Sequence, residues 1–171
     1  MYPAGSYVVY KNNGVCLIDA VRPEKFGNFE KQNYYVLKLI YENNAVVYIP
    51  VALEEAEKRM RSPITKKEAQ SVINGIWETE TAWINDDKIR GDRFREILDK
   101  GDVRELCGIV KVLHERYGEL TELGRKLRAA DETVMKKAMT NLCGELAYAL
   151  GADIEQIKES ILAKKTPKTD V

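Results

Sequence analysis

Over the first fifty positions apolar residues come in short bursts separated by turn formers. From there on they recur three and four apart. Val8-Val9-Tyr10 and Val15-Cys16-Leu17-Ile18 are rich in β-branched and aromatic residues and flank Asn12-Asn13-Gly14, residue types that tolerate positive φ, so the spacing predicts a hairpin. Asp19 to Gln32 is polar, holds Pro23, Gly27 and Asn28, and is expected to contain a loop or a loosely held turn. Tyr34 to Ile40 carries the strongest strand signal of the chain. Glu42-Asn43-Asn44 reads as a turn, and Ala45 to Val51 as another strand, with Pro50 near its end where a missing N–H is tolerated. Four to five short strands in about fifty residues fit a small Tudor- or SH3-like barrel.

After Ala52 no further strand is predicted. Leu53 to Met60 reads as a short helix, broken by Arg61-Ser62-Pro63-Ile64. Thr65 followed by Glu68 is a capping-box pattern and opens a helix to about Trp77. Glu78 to Asp87 is irregular and polar around Trp83. A helix then runs from about Asp87 to Lys100 and stops at Gly101, and Asp102 with Glu105 caps the next. That helix carries Val103, Leu106, Val110, Leu113 and Tyr117 on one face, with Gly118 as its expected end. Thr121 is expected to open a long helix to Leu150, with Leu123 and Leu127 at the start of its stripe and Gly151 as its C-cap. Asp153 with Gln156 caps a last helix to about Ala163, and Lys164-Lys165-Thr166-Pro167 reads as a frayed tail. The fold class is therefore α+β: a β-barrel module over residues 1–55, then an all-α module over 56–171.

At 171 residues the chain can hold one ordinary domain or two small ones. Its formal net charge is zero, which argues against a strongly basic nucleic-acid binder, although a local patch remains open. No apolar run is long enough to span a membrane, and no charged segment precedes an apolar one as in a signal peptide. Cys16, Cys107 and Cys143 are far apart and lack a CxxC pattern, so they read as reduced, buried thiols of a cytoplasmic protein.

Catalytic chemistry finds little support. His114 is the only histidine and has no carboxylate or Cys at ligand spacing. No phosphate loop, nucleophile elbow or metal-ligand motif occurs. The pairs Glu54–Glu55 and Asp86–Asp87 stand next to helix starts, where the dipole favours them. No enzyme, metal or cofactor is expected.

Two features point to binding instead. Lys88, Arg90 and Arg93 cluster in one helix, and between Lys88 and Arg128 there are 11 basic and 8 acidic residues. That is a modest bias, which an ordinary solvated face also explains. Trp83, in its polar loop, is either folded onto the core or displayed to a partner. A displayed Trp beside cations is a physical solution for distorting DNA. In the β module, Val46-Val47-Tyr48-Ile49 is apolar and uncharged. It either pairs within its own sheet or offers an edge that accepts a strand from another protein.

The N-terminal module resembles the RNA-polymerase-interacting domain of CarD-type bacterial transcription regulators, shared with transcription-repair coupling factor. Gly5 before Val8-Val9-Tyr10, Gly14-Val15, Tyr34-Tyr35-Val36-Leu37 and Val47-Tyr48-Ile49-Pro50-Val51 carry the resemblance. Trp83, Arg90, the run Arg93-Phe94-Arg95-Glu96-Ile97-Leu98, Gly101-Asp102 and Gly144-Glu145-Leu146-Ala147 extend it to the helical half. It implies a non-catalytic regulator that binds the RNA polymerase β subunit by strand pairing and promoter DNA near the −10 region, as a monomer in the complex. Its polymerase contact falls on Val46, Val47, Tyr48, Ile49 and Pro50. Its DNA wedge falls on Trp83, and its phosphate contacts on Lys88, Arg90 and Arg93. Two departures stand out: the partly acidic Ile84-Asn85-Asp86-Asp87 follows the Trp, and Tyr48 occupies a strand position where the family commonly has a basic residue. The alternative from another class is a protein–protein adaptor that uses the β module alone.

Overall fold

The computed structural model of the chain describes residues 2–43, 45–52 and 54–164. The expected turn residue Asn44, the expected helix start Leu53 and most of the tail lie outside them. The chain divides into two compact units, Met1–Pro63 and Ile64–Val171.

The first unit is a five-stranded antiparallel sheet. Its strands are Tyr7–Tyr10 (β1), Val15–Glu24 (β2), Gln32–Leu39 (β3), Val46–Pro50 (β4) and Met60–Arg61 (β5), and the short helix Glu54–Lys58 (α1) precedes β5. Their order across the sheet is β4-β3-β2-β1-β5. The hairpin lies where the Asn-Asn-Gly signal placed it. Lys11–Asn13 forms a single 3-10 turn, with Lys11 at φ 46° and Gly14 at φ 65°. A β-bulge between Ile18 and Ala20 bends β2. Buried side chains of all five strands and α1 form one cluster that includes Val8, Ile18, Tyr35, Leu37, Ile49, Ala56 and Met60. The sheet thus wraps its own core, as a small barrel does, while β4 and β5 remain its two edges.

Two details go beyond the expectation here. The loop expected within Asp19 to Gln32 is confined to the residues between Glu24 and Gln32: β2 continues to Glu24 and pairs with β3 through Glu24↔Gln32. The apolar partners Tyr34, Tyr35 and Val36 carry the strand past its polar composition. Pro23 fits because it lies beyond the β1 pairing, which ends at Leu17, so one side of the strand is open there. The module also extends beyond residue 55. Met60–Arg61 pairs with Val9 and Tyr10, and this moves the boundary to Pro63. Two residues are too short for a strand signal, so only the pairing partner reveals this strand.

The second unit is helical: Lys66–Gly75 (α2), Asp87–Lys100 (α3), Val103–Glu122 (α4), Ala129–Leu150 (α5) and Ile154–Ala163 (α6). The caps follow the sequence. Thr65 and Glu68 form a reciprocal capping box, and Asp86, Asp102 and Asp153 each accept two backbone N–H bonds at the starts of α3, α4 and α6. Helix α5 is the centre of the unit and packs on α2, α3, α4 and α6. It is buried without interruption from Asn141 to Ala147. Glu145 in this run is buried and accepts the Ile64 N–H at 3.0 Å, tying down the first residue of the unit. Trp77 donates from Nε1 to the Ile161 carbonyl at 2.9 Å and packs edge-on against His114, which is a half-buried ring neighbour.

The junction between α4 and α5 departs from expectation. Gly118 does not end α4, which runs to Glu122. The chain turns instead at Gly124, whose φ of 66° suits glycine. Leu123 therefore leaves the core stripe and is 70 % exposed, while Leu127 stays buried.

Tyr35 is fully buried and its hydroxyl donates to Glu57 at 2.8 Å. Burial, then the adjoining carboxylate, push the phenol up to about 12 from its usual 10. The folded state thus holds a proton that the unfolded chain releases near pH 10, so the first unit's stability falls as pH rises from about 10 to about 12. In alkaline urea titrations the Tyr35→Phe variant is expected to lose that part of the pH dependence; an unchanged slope would refute the assignment.

Candidate functional site

Each unit carries a candidate site. In the first it is the outer edge of β4. Val51 N–H bonds to Asn33 and Leu39 N–H to the Ala45 carbonyl, so the odd-numbered residues of this strand turn their backbone groups toward β3. By the alternation of an antiparallel ladder, Val46 and Tyr48 point both N–H and C=O away from the sheet, and Pro50 its C=O. Pro50 therefore removes nothing from the ladder to β3. Val46 and Tyr48 are 43 % and 38 % exposed. Val47 and Ile49 do otherwise: Ile49 belongs to the core cluster, Val47 packs against it, and their backbone groups face β3. Of the five residues expected at the polymerase contact, three present the edge and two support it from inside.

In the second unit the site is built around Trp83. Its loop, between a single 3-10 turn at Ile76–Glu78 and α3, is held to α4 by Lys111, whose Nζ donates to the Thr79 carbonyl at 2.8 Å. Two cations lie over the Trp83 ring. The Arg90 guanidinium carbon is 4.2 Å from the ring centroid and that of Arg116 is 5.3 Å away. The ring is half-buried, so neither the core reading nor the displayed reading holds alone.

Arg90 is the largest departure from expectation. A phosphate contact would need an exposed guanidinium, yet Arg90 is only 1 % exposed. It reaches across to α5 and makes two parallel bonds with Asp131, from Nε at 3.1 Å and from Nη2 at 2.8 Å. Nη2 also meets Asp87 at 2.6 Å, and Nη1 donates to the Ile84 carbonyl at 2.8 Å. The Asp131 hydrogen bond holds the Arg90 pKa above its usual value. Asp87 bridges Arg90 and Arg128, and these contacts, Arg90 first, hold its carboxyl below the usual range. Arg90 therefore orients Trp83 and the loop, and its charge is matched inside the unit.

Lys88 is exposed on the first turn of α3. Arg93 is exposed but pairs with Glu96 at 2.8 Å and Glu105 at 3.3 Å, and it lines a different cavity from Trp83. The cavity that does contain Trp83, about 190 Å³, is bordered by Arg116, Arg125, Lys126 and Arg128. Arg116 bonds Glu119 through Nη1, whereas its Nε is buried without a hydrogen-bond acceptor, next to the negative π face of Trp83. The spacing of Arg125, Lys126 and Arg128 along the chain gave no sign of their closeness to Trp83, because that stretch reads as continuous helix. The Gly124-Arg125-Lys126 sequence, a turn glycine followed by two cations, is the signal that marks it.

Burial pushes the Cys107 and Cys143 thiols up to about 12, which leaves them unreactive near neutrality. No helix among the described residues is long and apolar enough to cross a membrane.

This open-edged sheet has a known counterpart. Residues 2–62 match the family model of the CarD-like/TRCF RID domain. The first unit is thus similar over nearly its whole length to the CarD-like/TRCF RID domains, a family of protein-interaction domains. The match supports an RNA-polymerase-interacting, transcription-related protein. No match to a curated protein was found for the chain.

Removing one partner of the Arg90–Asp131 pair leaves the other charge buried. Asp131→Ala is expected to cost the helical unit about 3–5 kcal/mol in urea unfolding. A loss below about 1 kcal/mol would show that the pair is solvated and that Trp83 is held by other contacts.

Proposed function

We propose that the protein is a non-catalytic transcription regulator that docks on the RNA polymerase β subunit through β4 and steadies the promoter open complex through its helical unit. The observation that carries the reading is the open β4 edge within a matched RID domain. Strand addition needs a row of unpaired backbone groups on an exposed edge, and Val46, Tyr48 and Pro50 supply one. Side-chain pockets then select the partner.

The DNA half of the reading rests on Trp83. An aromatic wedge at a disrupted base step needs a ring braced from behind and cations for the neighbouring phosphates. In this reading Arg90 is the brace, Trp83 the wedge at the upstream edge of the bubble near the −10 region, and Lys88, Arg116, Arg125 and Lys126 the phosphate contacts. Arg93, matched by two glutamates, contributes less. A net charge of zero suits this division, because docking on polymerase converts the DNA encounter into an intramolecular one. Such a regulator works as a monomer in the complex, in the bacterial cytoplasm. It activates where open-complex lifetime limits initiation and represses where it delays escape.

Trp83→Ala is expected to leave polymerase capture unchanged and to shorten the open-complex lifetime on the order of tenfold, within the about 1–3 kcal/mol that stacking on one base is worth. Lifetimes read by competitor challenge check this, with a urea melt to show that the helical unit stays folded. An unaltered lifetime would instead favour an adaptor working through the β module alone. For the edge, Val46→Pro removes one outward N–H and no bond to β3, so polymerase capture is expected to fall with the melting of the first unit unchanged.

A further inference from the structure

The β4 edge leads directly onto a cluster of rings. Phe26, from the β2–β3 loop, packs edge-on against Tyr34 and Tyr48, each with ring centroids 5.1 Å away, and Tyr34 and Tyr48 are 6.5 Å apart. Tyr34 is buried beneath the other two, while Phe26 is 40 % and Tyr48 38 % exposed. The cluster lies on the face opposite the core, because Tyr35, Leu37 and Ile49 fill the inner face of the same strands. Arg22, beside Tyr48, is paired with Glu24 at 2.7 Å, so this charge is already matched. A ring platform next to an open strand edge is an aggregation hazard unless something covers it.

Backbone and side chain coincide at Tyr48. Its N–H and C=O point out of the sheet edge, and its ring lies on the outer face. In an added antiparallel strand, the residue hydrogen-bonded opposite Tyr48 must place its own side chain on that same face, about 5 Å away between Cβ atoms. We infer that this platform of Phe26, Tyr34 and Tyr48 is the specificity pocket of the β4 edge, and that the β-subunit strand pairing there lays an apolar side chain on it. This rests on the β4 reading proposed above and adds to it a side-chain partner. The occupant is the polymerase strand itself because the platform is continuous with the edge that receives it. Its side chain is apolar because the rings offer an uncharged surface whose neighbouring charges are matched.

The test compares full-length Phe26→Ala, Tyr48→Lys and Val46→Pro with wild type in binding to purified bacterial RNA polymerase. Lysine is well tolerated on exposed edges, so Tyr48→Lys keeps the strand even where Phe26→Ala disturbs the loop. Both ring variants are expected to weaken binding about tenfold, in the range of a central interface aromatic. Wild-type affinity should change less than about threefold between roughly 50 and 300 mM salt. Wild-type or tighter binding by Tyr48→Lys, or a steep salt dependence, would overturn the platform by revealing a charged partner at this position. If the ring variants bind normally and Val46→Pro does not, strand pairing stands and the platform falls. If Val46→Pro also binds normally, the β4 reading fails, and the platform with it.

Discussion

A guanidinium sealed inside a helical bundle must find its countercharge there. Arg90, 1 % exposed, meets this constraint through Asp131, Asp87 and the Ile84 carbonyl. The consequences spread through the second unit. Asp131 ties the start of α5 to α3, and Asp87 draws in Arg128 from the segment before α5. Ile84 and Trp83 follow, because the loop must present a carbonyl to one side of the guanidinium and a ring to its face. The loop has no regular secondary structure but is held at several points. An unpaired charge in its place would cost several kcal/mol, so the pair acts more as a condition on the arrangement than as a source of net stability.

This constraint changes what the basic residues can do. Four cations of α3 lie close together in sequence, yet they differ in availability. Arg90 is consumed by the interior, Arg93 and Arg95 are engaged by carboxylates on the surface, and Lys88 remains exposed. The cations that share a cavity with Trp83 come mainly from α4 and from the turn after Gly124. A count of charges along the chain cannot separate these cases, since a modest surplus of Lys and Arg says nothing about which of them face one another.

The first unit shows a different economy. Period-two alternation assigns each β4 residue two directions at once, one for its backbone groups and one for its side chain. At Val46 and Tyr48 the backbone groups point out of the sheet edge and the side chains lie on its outer face, and at Val47 and Ile49 both point inward. The strand is thereby divided into an internal and an external set by register alone. Tyr48, in a position where a charged residue would make a polar edge, joins Phe26 and Tyr34 in an aromatic one.

Local signals were legible in the sequence. The Asn-Asn-Gly hairpin, the β3 run, the Thr65–Glu68 capping box, the Asp caps at 102 and 153 and the Gly101 and Gly151 helix ends all depend on residues within a few positions of one another, and all are found in the structure. The features that local pattern missed depend on partners far along the chain. Asp19–Glu24 is strand because β3 lies beside it, and Met60–Arg61 is strand because Val9 and Tyr10 do. Gly118 stays helical, so the turn falls at Gly124 and brings Arg125 and Lys126 to Trp83. Arg90 looked like a surface cation because its neighbours in sequence are polar, whereas Asp131, 41 residues away, makes burial tolerable. Short-range stereochemistry and periodicity thus determined the elements. Long-range pairing of backbone edges and of charges decided where the elements end and which side chains reach a partner, because the desolvation those pairings must offset exists only once distant segments have met.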